Sequence, residues 1–290
     1  MDSPTKPSDA ANIDLAPLPG KQTGEAVQRL VGLMQRLLAP GGCPWDREQT
    51  LETLVPYLVE ETYEVVDALA EGNLADHREE LGDLLLQIVF QSELRFTAGA
   101  FGIDDVARGI VEKLVRRHPH VFGDVQVAGS GEVLTNWAKI KGEEKAAKGK
   151  HGALHGIPRS APALLRATRA GEKAGAVGFD FPDAEGPRAK VDEELRELDE
   201  ARASGDRAAM ESELGDLLLA VVNLGRKLDL DPESALRGAT DRFAGRFRHI
   251  ETTLAAEGRA VADSTPEELD RLWDAAKVLE AAAREAPKRT

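Results

Sequence analysis

The sequence predicts an all-α fold built as a duplicated helical bundle, and three features carry that expectation. Apolar residues recur at three- and four-residue spacing, beginning with Val27, Leu30, Val31, Met34, Leu37 and Leu38, which is the period of one helix face. No comparable run alternates with period two, and aromatics make up only 4% of the chain, a balance that favours helix over strand. The chain also repeats itself. Glu60-Glu61-x-x-Glu64, then Glu80-Leu81-Gly82-Asp83 and Leu84-Leu85-Leu86, return as Glu193-Glu194-x-x-Glu197, Glu213-Leu214-Gly215-Asp216 and Leu217-Leu218-Leu219, each position offset by 133. Such a repeat indicates that one helical hairpin was duplicated.

Residues 1–22 contain four prolines and no apolar core, so they read as a disordered tail and as neither signal peptide nor membrane span. The helical period then runs through Glu25–Leu38, Leu51–Leu69, Leu81–Leu94, Val106–Val115, Leu164–Thr168, Val191–Leu198, Leu214–Leu228 and Leu269–Leu279. Gly72-Asn73, Gly99, Gly123, Gly149, Gly205 and Asp231-Pro232 punctuate it with stop signals. At roughly 150 residues per domain, 290 residues predict two domains. The breaker-rich stretch 149–158, from Gly149 to Pro158, reads as the linker between a first domain at 23–148 and a second at 159–285.

Lys plus Arg number 37 against 51 Asp plus Glu, for a formal net charge of −14 and a pI near 5.0. A field of that sign repels phosphate backbones and anionic lipid, which argues against a nucleic-acid polymer or a membrane as partner. Cys43 is the single cysteine. It can form no internal disulfide and no zinc cluster, so the chain fits a reducing cytoplasm.

Glu61 and Glu64 share a helix face one turn apart, as do Glu80 and Asp83. If these helices fold back as a hairpin, positions 61 and 83, and 64 and 80, lie level, because both pairs average 72, which is Gly72. The pairs Glu194 with Asp216 and Glu197 with Glu213 average 205, which is Gly205. Four carboxylates are therefore expected at one level in each half. Left alone they would repel. A hard divalent cation resolves this, and oxygen-only ligands select Mg²⁺, Mn²⁺ or Ca²⁺, with Mg²⁺ the default beside substrate phosphates and Mn²⁺ a substitute.

Glutamate pairs on helices are usually solvated faces. Against that, Leu54, Leu58, Glu61, Val65 and Ala68 trace one stripe, as do Val191, Glu194, Leu198 and Ala201, so the glutamates interrupt apolar faces. Asp83 and Asp216 sit in Leu-rich runs read as apolar all round, where a lone charge is costly.

Cations follow each acidic hairpin: Lys113-x-x-x-Arg117 after the first and Arg242-x-x-x-Arg246 after the second. Trp137-x-x-x-Lys141 and Trp273-x-x-x-Lys277 come further on. A Trp face can stack on a base while a cation one turn away meets phosphate. Lys190, four residues before Glu194, could reach either the carboxylates or phosphate.

The segments Cys43-Pro44-Trp45-Asp46-x-x-Gln49-Thr50, Leu58-Val59-Glu60-Glu61-Thr62-Tyr63-Glu64, Glu80-Leu81-Gly82-Asp83-Leu84-Leu85 and Arg117-His118-Pro119-His120-Val121-Phe122 resemble the MazG family of nucleoside triphosphate pyrophosphohydrolases. The resemblance, to the two-domain form, runs from about Leu30 to Lys277. It implies an all-α, Mg²⁺-dependent homodimer that converts a nucleoside triphosphate and water to the monophosphate and pyrophosphate, with catalysis credited to the second copy. The metal ligands it implies are Glu194, Glu197, Glu213 and Asp216, and the nucleotide contacts are Lys190, Arg242, Arg246 and Trp273, with Lys277 one turn beyond. Glu61, Glu64, Glu80 and Asp83 form a second metal-binding candidate. The family often has Lys where this chain has Arg242, which keeps the charge but changes the donor geometry.

On this reading water attacks the α-phosphorus in line beside the second cluster, with Glu193, about 100° round the helix, supporting the ligands. The two halves should differ, because proline cannot continue a helix interior. The helix ending at Arg117-His118-Pro119 should therefore leave fewer placed cations over the first cluster than the unbroken run through Arg248. A regulatory module that binds nucleotide or protein without turnover, and a metal-storage bundle, remain open on the residues alone.

Overall fold

The computed structural model describes residues 23–147 and 152–285, with the side chains of 145–147 and 283–285 left aside. The expected tail at 1–22 and part of the expected linker, residues 149–151, lie outside the described residues. The chain divides into two compact units, Met1–Gly149 and Lys150–Thr290.

Among the described residues the first unit contains α1 (Glu25–Leu38), α2 (Pro44–Glu48), α3 (Val55–Glu71), α4 (Leu74–Thr97), α5 (Ile103–Arg117), α6 (Pro119–Phe122) and α7 (Ser130–Ala147). The second contains α8 (Ala163–Gly175), α9 (Glu185–Ser204), α10 (Arg207–Lys227), α11 (Pro232–Ala256), a 3-10 turn at Val261–Asp263 and α12 (Pro266–Glu285). No strand occurs among them. Among the described residues, no helix is long and apolar enough to cross a membrane.

Each half is organised by one hairpin, and a glycine followed by a capping Asn or Asp makes each turn. α3 ends on Gly72 at φ 73° and α9 on Gly205 at φ 74°, the left-handed conformation that glycine adopts without a Cβ penalty. The next residue starts the returning helix. The Asn73 side chain accepts from the Ala75 and Asp76 amides, and the Asp206 side chain accepts from Ala208 and Ala209, satisfying first-turn donors that have no partner within the helix.

Packing repeats as well. Leu54, Ala68 and Val89 are buried in the first unit, and Pro187, Ala201 and Val222, each 133 residues on, are buried in the second. Met34 of α1 joins Leu54, Val89 and Phe90 in the first core. In the second, Ile250 and Leu254 of α11 and Ala276 of α12 are buried. Fully burying a Leu or Val side chain contributes about 1.5–3 kcal/mol.

Three differences from the sequence reading have local causes. α4 begins seven residues before Leu81, because Asn73 caps it there and the polar residues that follow are competent helix formers. Asp231-Pro232 starts a helix instead of ending one: Asp231 caps α11 and Pro232 occupies its first position, where the missing amide is harmless. The offset between halves also falls from 133 to 129 after the hairpins, since the N-caps of α5 and α11 are Gly102 and Asp231. That shift sets Arg117 in register with Arg246.

Candidate metal centre

Glu61 and Glu64 on α3 and Glu80 on α4 each offer a carboxylate oxygen within 4.8 Å of the others, and so do Glu194 on α9 and Glu213 and Asp216 on α10. Three carboxylates meet in each half, where the level-pairing argument expects four. The fourth differs: Asp83 stands outside the first trio and Glu197 outside the second. Both still bear on their neighbours, for Asp83 raises the pKa of Glu61 and Glu80, and Glu197 that of Glu213.

Glu194 is 6% exposed, as expected for a charge interrupting an apolar stripe. The Leu-rich runs are another matter. Leu81, Leu214, Leu218 and Leu219 are 44–48% exposed, and Asp216 is exposed, so these runs are not buried all round within their own units. α4 packs on α1 and α5 besides its hairpin partner, and α10 on α8 and α11, yet these leucines stay half-exposed.

Partial burial, followed by the charges of Glu197, Asp216 and Glu194, pushes the Glu213 carboxyl above its ordinary range, while Lys190 pulls it back. Glu61 is raised by partial burial and then by Asp83, Glu64 and Glu80. Groups raised for these reasons fit a hard cation, which removes the repulsion and accepts an all-oxygen donor set.

Lys190 reaches the carboxylates: its ammonium lies 2.8 Å from Glu194 Oε1 and 3.0 Å from Glu193 Oε1. Glu193 is therefore tied to the trio through Lys190. The position corresponding to Lys190 in the first half, 133 residues earlier, is Tyr57, so that trio has no lysine there.

The remaining expected contacts gather on α11 and α12. Arg246 donates from Nε to Glu280 Oε2 at 2.8 Å, and its guanidinium carbon lies 5.3 Å from the centre of the Trp273 ring. Arg242 and Arg246 line a groove of about 420 Å³ with Glu280 and Leu279. Lys277 turns to Asp274 on its own helix, 3.0 Å away.

The first unit repeats this set. Glu144 accepts from Arg117 Nε at 3.0 Å and from Arg116 Nε at 2.7 Å, and Trp137 lies 5.0 Å from the Arg117 guanidinium and 4.6 Å from the Lys141 ammonium. α5 does stop at Arg117, with Pro119 opening α6. Its terminal arginines are nonetheless held in place by Glu144. Glu144, at the far side of α7, reaches back to the helix end.

Helical spacing does not single out Glu144 or Glu280, because each acts across two helices. A signal existed in the sequence: both lie seven residues after a tryptophan, with the same offset of 136 between halves. Asp180 likewise stands outside any motif. It accepts from Arg226 Nη1 at 2.9 Å and from Lys227 Nζ at 2.7 Å, and these bonds hold its carboxyl far below the usual carboxylate range.

The family model described as the MazG nucleotide pyrophosphohydrolase domain matches the chain over residues 49–122 and again over 185–250. These segments contain both carboxylate trios. The chain is 46% identical over 257 residues to the nucleoside triphosphate pyrophosphohydrolase/pyrophosphatase MazG of Thermotoga maritima, covering 89% of this chain and 98% of that protein. It is 46% identical over 254 residues to the nucleoside triphosphate pyrophosphohydrolase of Escherichia coli, covering 87% and 97%. The protein of the same name from Mycolicibacterium smegmatis is 34% identical over 263 residues, covering 90% and 69%. With two copies of the domain matched and the identity sustained along nearly the full length of two relatives, the chain belongs to the MazG family in its two-copy form.

Proposed function

We propose that this chain is a nucleoside triphosphate pyrophosphohydrolase that splits NTP or dNTP into the monophosphate and pyrophosphate. The observation that carries the reading is the trio Glu194, Glu213 and Asp216, in which carboxylates from two helices converge around one buried member. Its relatives' names agree with that chemistry.

Glu194, Glu213 and Asp216, with Glu197 beside them, would hold Mg²⁺, or Mn²⁺ in its place. Bound there, the ion would supply Lewis-acid polarisation of phosphate oxygens and a more acidic water. Water attacks the α-phosphorus in line, its new bond to phosphorus forming as the bond to the bridging oxygen breaks and pyrophosphate leaves. Arg242 and Arg246 offset the charge that builds on the leaving group. Trp273 offers the base an aromatic face, and Lys277 adds a cation one turn away. Lys190 and Glu193 orient Glu194 through their ion pairs.

The protein works as a homodimer, supported by the apolar side chains Leu195, Leu214, Leu218 and Val221 left 45–48% exposed on α9 and α10, the kind of patch that marks an interface. Its place is the cytoplasm and its role the control or cleansing of nucleotide pools. The test is a release assay across a panel of nucleoside triphosphates with and without Mg²⁺. Pyrophosphate should appear only with the ion, and stepwise release of orthophosphate would overturn the reading.

A further inference from the structure

The α11–α12 groove contains a carboxylate where a polyphosphate chain is read to bind. Glu280 lines it together with Arg242 and Arg246. A negative charge there weakens the pull on phosphate, so its presence needs another reason. The contacts supply one. Glu280 takes the Nε edge of the Arg246 guanidinium at 2.8 Å, and both side chains are about three-quarters buried, with 24% exposed. Trp273 covers the guanidinium at 5.3 Å, and Phe243 in turn lies 5.3 Å from the Trp273 ring. The guanidinium is a rigid fork of five donors, so fixing one edge and one face fixes where the remaining N–H groups point.

The first unit shows the same device committed differently. Glu144 accepts from both Nε and Nη2 of Arg117, at 3.0 and 2.5 Å, and from Arg116 as well. Two donors of Arg117 are thereby spent on the protein, where Arg246 gives Glu280 one.

We propose that Glu280 is a positioning residue for the nucleotide: its carboxylate holds Arg246 so that the terminal N–H groups of the guanidinium meet the polyphosphate chain. This rests on the reading of Arg246 as a phosphate contact. Orientation set before the ligand arrives lowers the ordering cost of binding. The inference predicts a sign opposite to simple electrostatics, because removing a negative charge next to a phosphate site should otherwise tighten binding.

The experiment uses the full chain with Mg²⁺ and measures the affinity of a triphosphate whose α,β-bridge resists hydrolysis, that of inorganic tripolyphosphate, and KM and kcat for hydrolysis. Glu280→Ala should weaken both ligands about tenfold, equivalent to about 1.4 kcal/mol, with the loss in KM and kcat kept within about twofold. Glu280→Gln, whose amide oxygen still accepts from Nε, should stay within about threefold of the parent. Unchanged or tighter binding by Glu280→Ala overturns the proposal, as does a fall in kcat and melting temperature at constant KM. If Glu280→Ala does not fold, Glu280→Gln is compared in the parent and in an Arg246→Ala background. Its effect on affinity should disappear without Arg246, and persistence overturns the proposal. An Arg246→Ala variant that binds triphosphate as the parent does refutes the phosphate-site reading itself, and is thus distinguishable from failure at Glu280.

Discussion

Replacing Glu213 with Gln should shift the melting of the second unit in opposite directions with and without a divalent cation. Its carboxyl is raised first by partial burial and then by Glu197, Asp216 and Glu194. A folded-state pKa above the unfolded value, about 4.3 for Glu, means that the folded protein binds more protons between the two. Stability then falls as pH rises through that window. Gln carries no such charge, so without divalent cation at pH 7.5 the variant should melt above the parent. With cation the order reverses. At a concentration one hundred times its dissociation constant, a ligand that binds only the folded state adds about 2.7 kcal/mol, and for a unit the size of Lys150–Thr290 that is roughly 8 °C, at about 3 °C per kcal/mol. Glu213→Gln leaves two of the three converging carboxylates and should forfeit most of that gain. Differential scanning calorimetry with and without MnCl₂ or MgCl₂ reads both arms, and the first trio, left intact, serves as internal control. A variant that melts lower without cation would show that Glu213 is favourably paired. One that keeps the full cation gain would show that the ion binds elsewhere.

Three further outcomes follow from the same geometry. At matched folded concentration, Glu197→Ala should lower pyrophosphate release at least tenfold, in line with the roughly 10–100-fold cost of losing a group beside metal ligands, while Glu64→Ala keeps most of it; equal losses would mean two working sites. Asp180→Asn removes a carboxylate whose pKa is depressed by Arg226 and Lys227, so the stability it contributes is present above the unfolded value of about 3.9 and lost as pH falls. The melting gap between parent and variant should be wide at pH 7 and close toward pH 2, and a constant gap would refute the ion pair's part in it. Leu254, 1% exposed, should cost about 2–5 kcal/mol on truncation to Ala, read by urea unfolding; a loss below about 1 kcal/mol would mean that the core collapses around the gap.

The hairpins were legible in the line of residues. Apolar spacing marked α3, α4, α9 and α10, and the averages of 72 and 205 fell on the two glycines that the structure places at φ 73° and 74°. The repeat named the acidic positions, because periodicity, turn residues and caps act over a few neighbours and need no knowledge of distant chain. Packing decided the rest. Glu194, Glu213 and Asp216 converge and Glu197 stands outside the three, because side-chain direction, which level counting omits, decides which oxygens meet. The pairs Arg246–Glu280 and Asp180–Arg226 join residues 34 and 46 positions apart, and the exposure of Leu214 and Leu218 depends on what covers α10. Such contacts are set by how whole helices lie against one another, and a sequence pattern reports a helix's face without its neighbour.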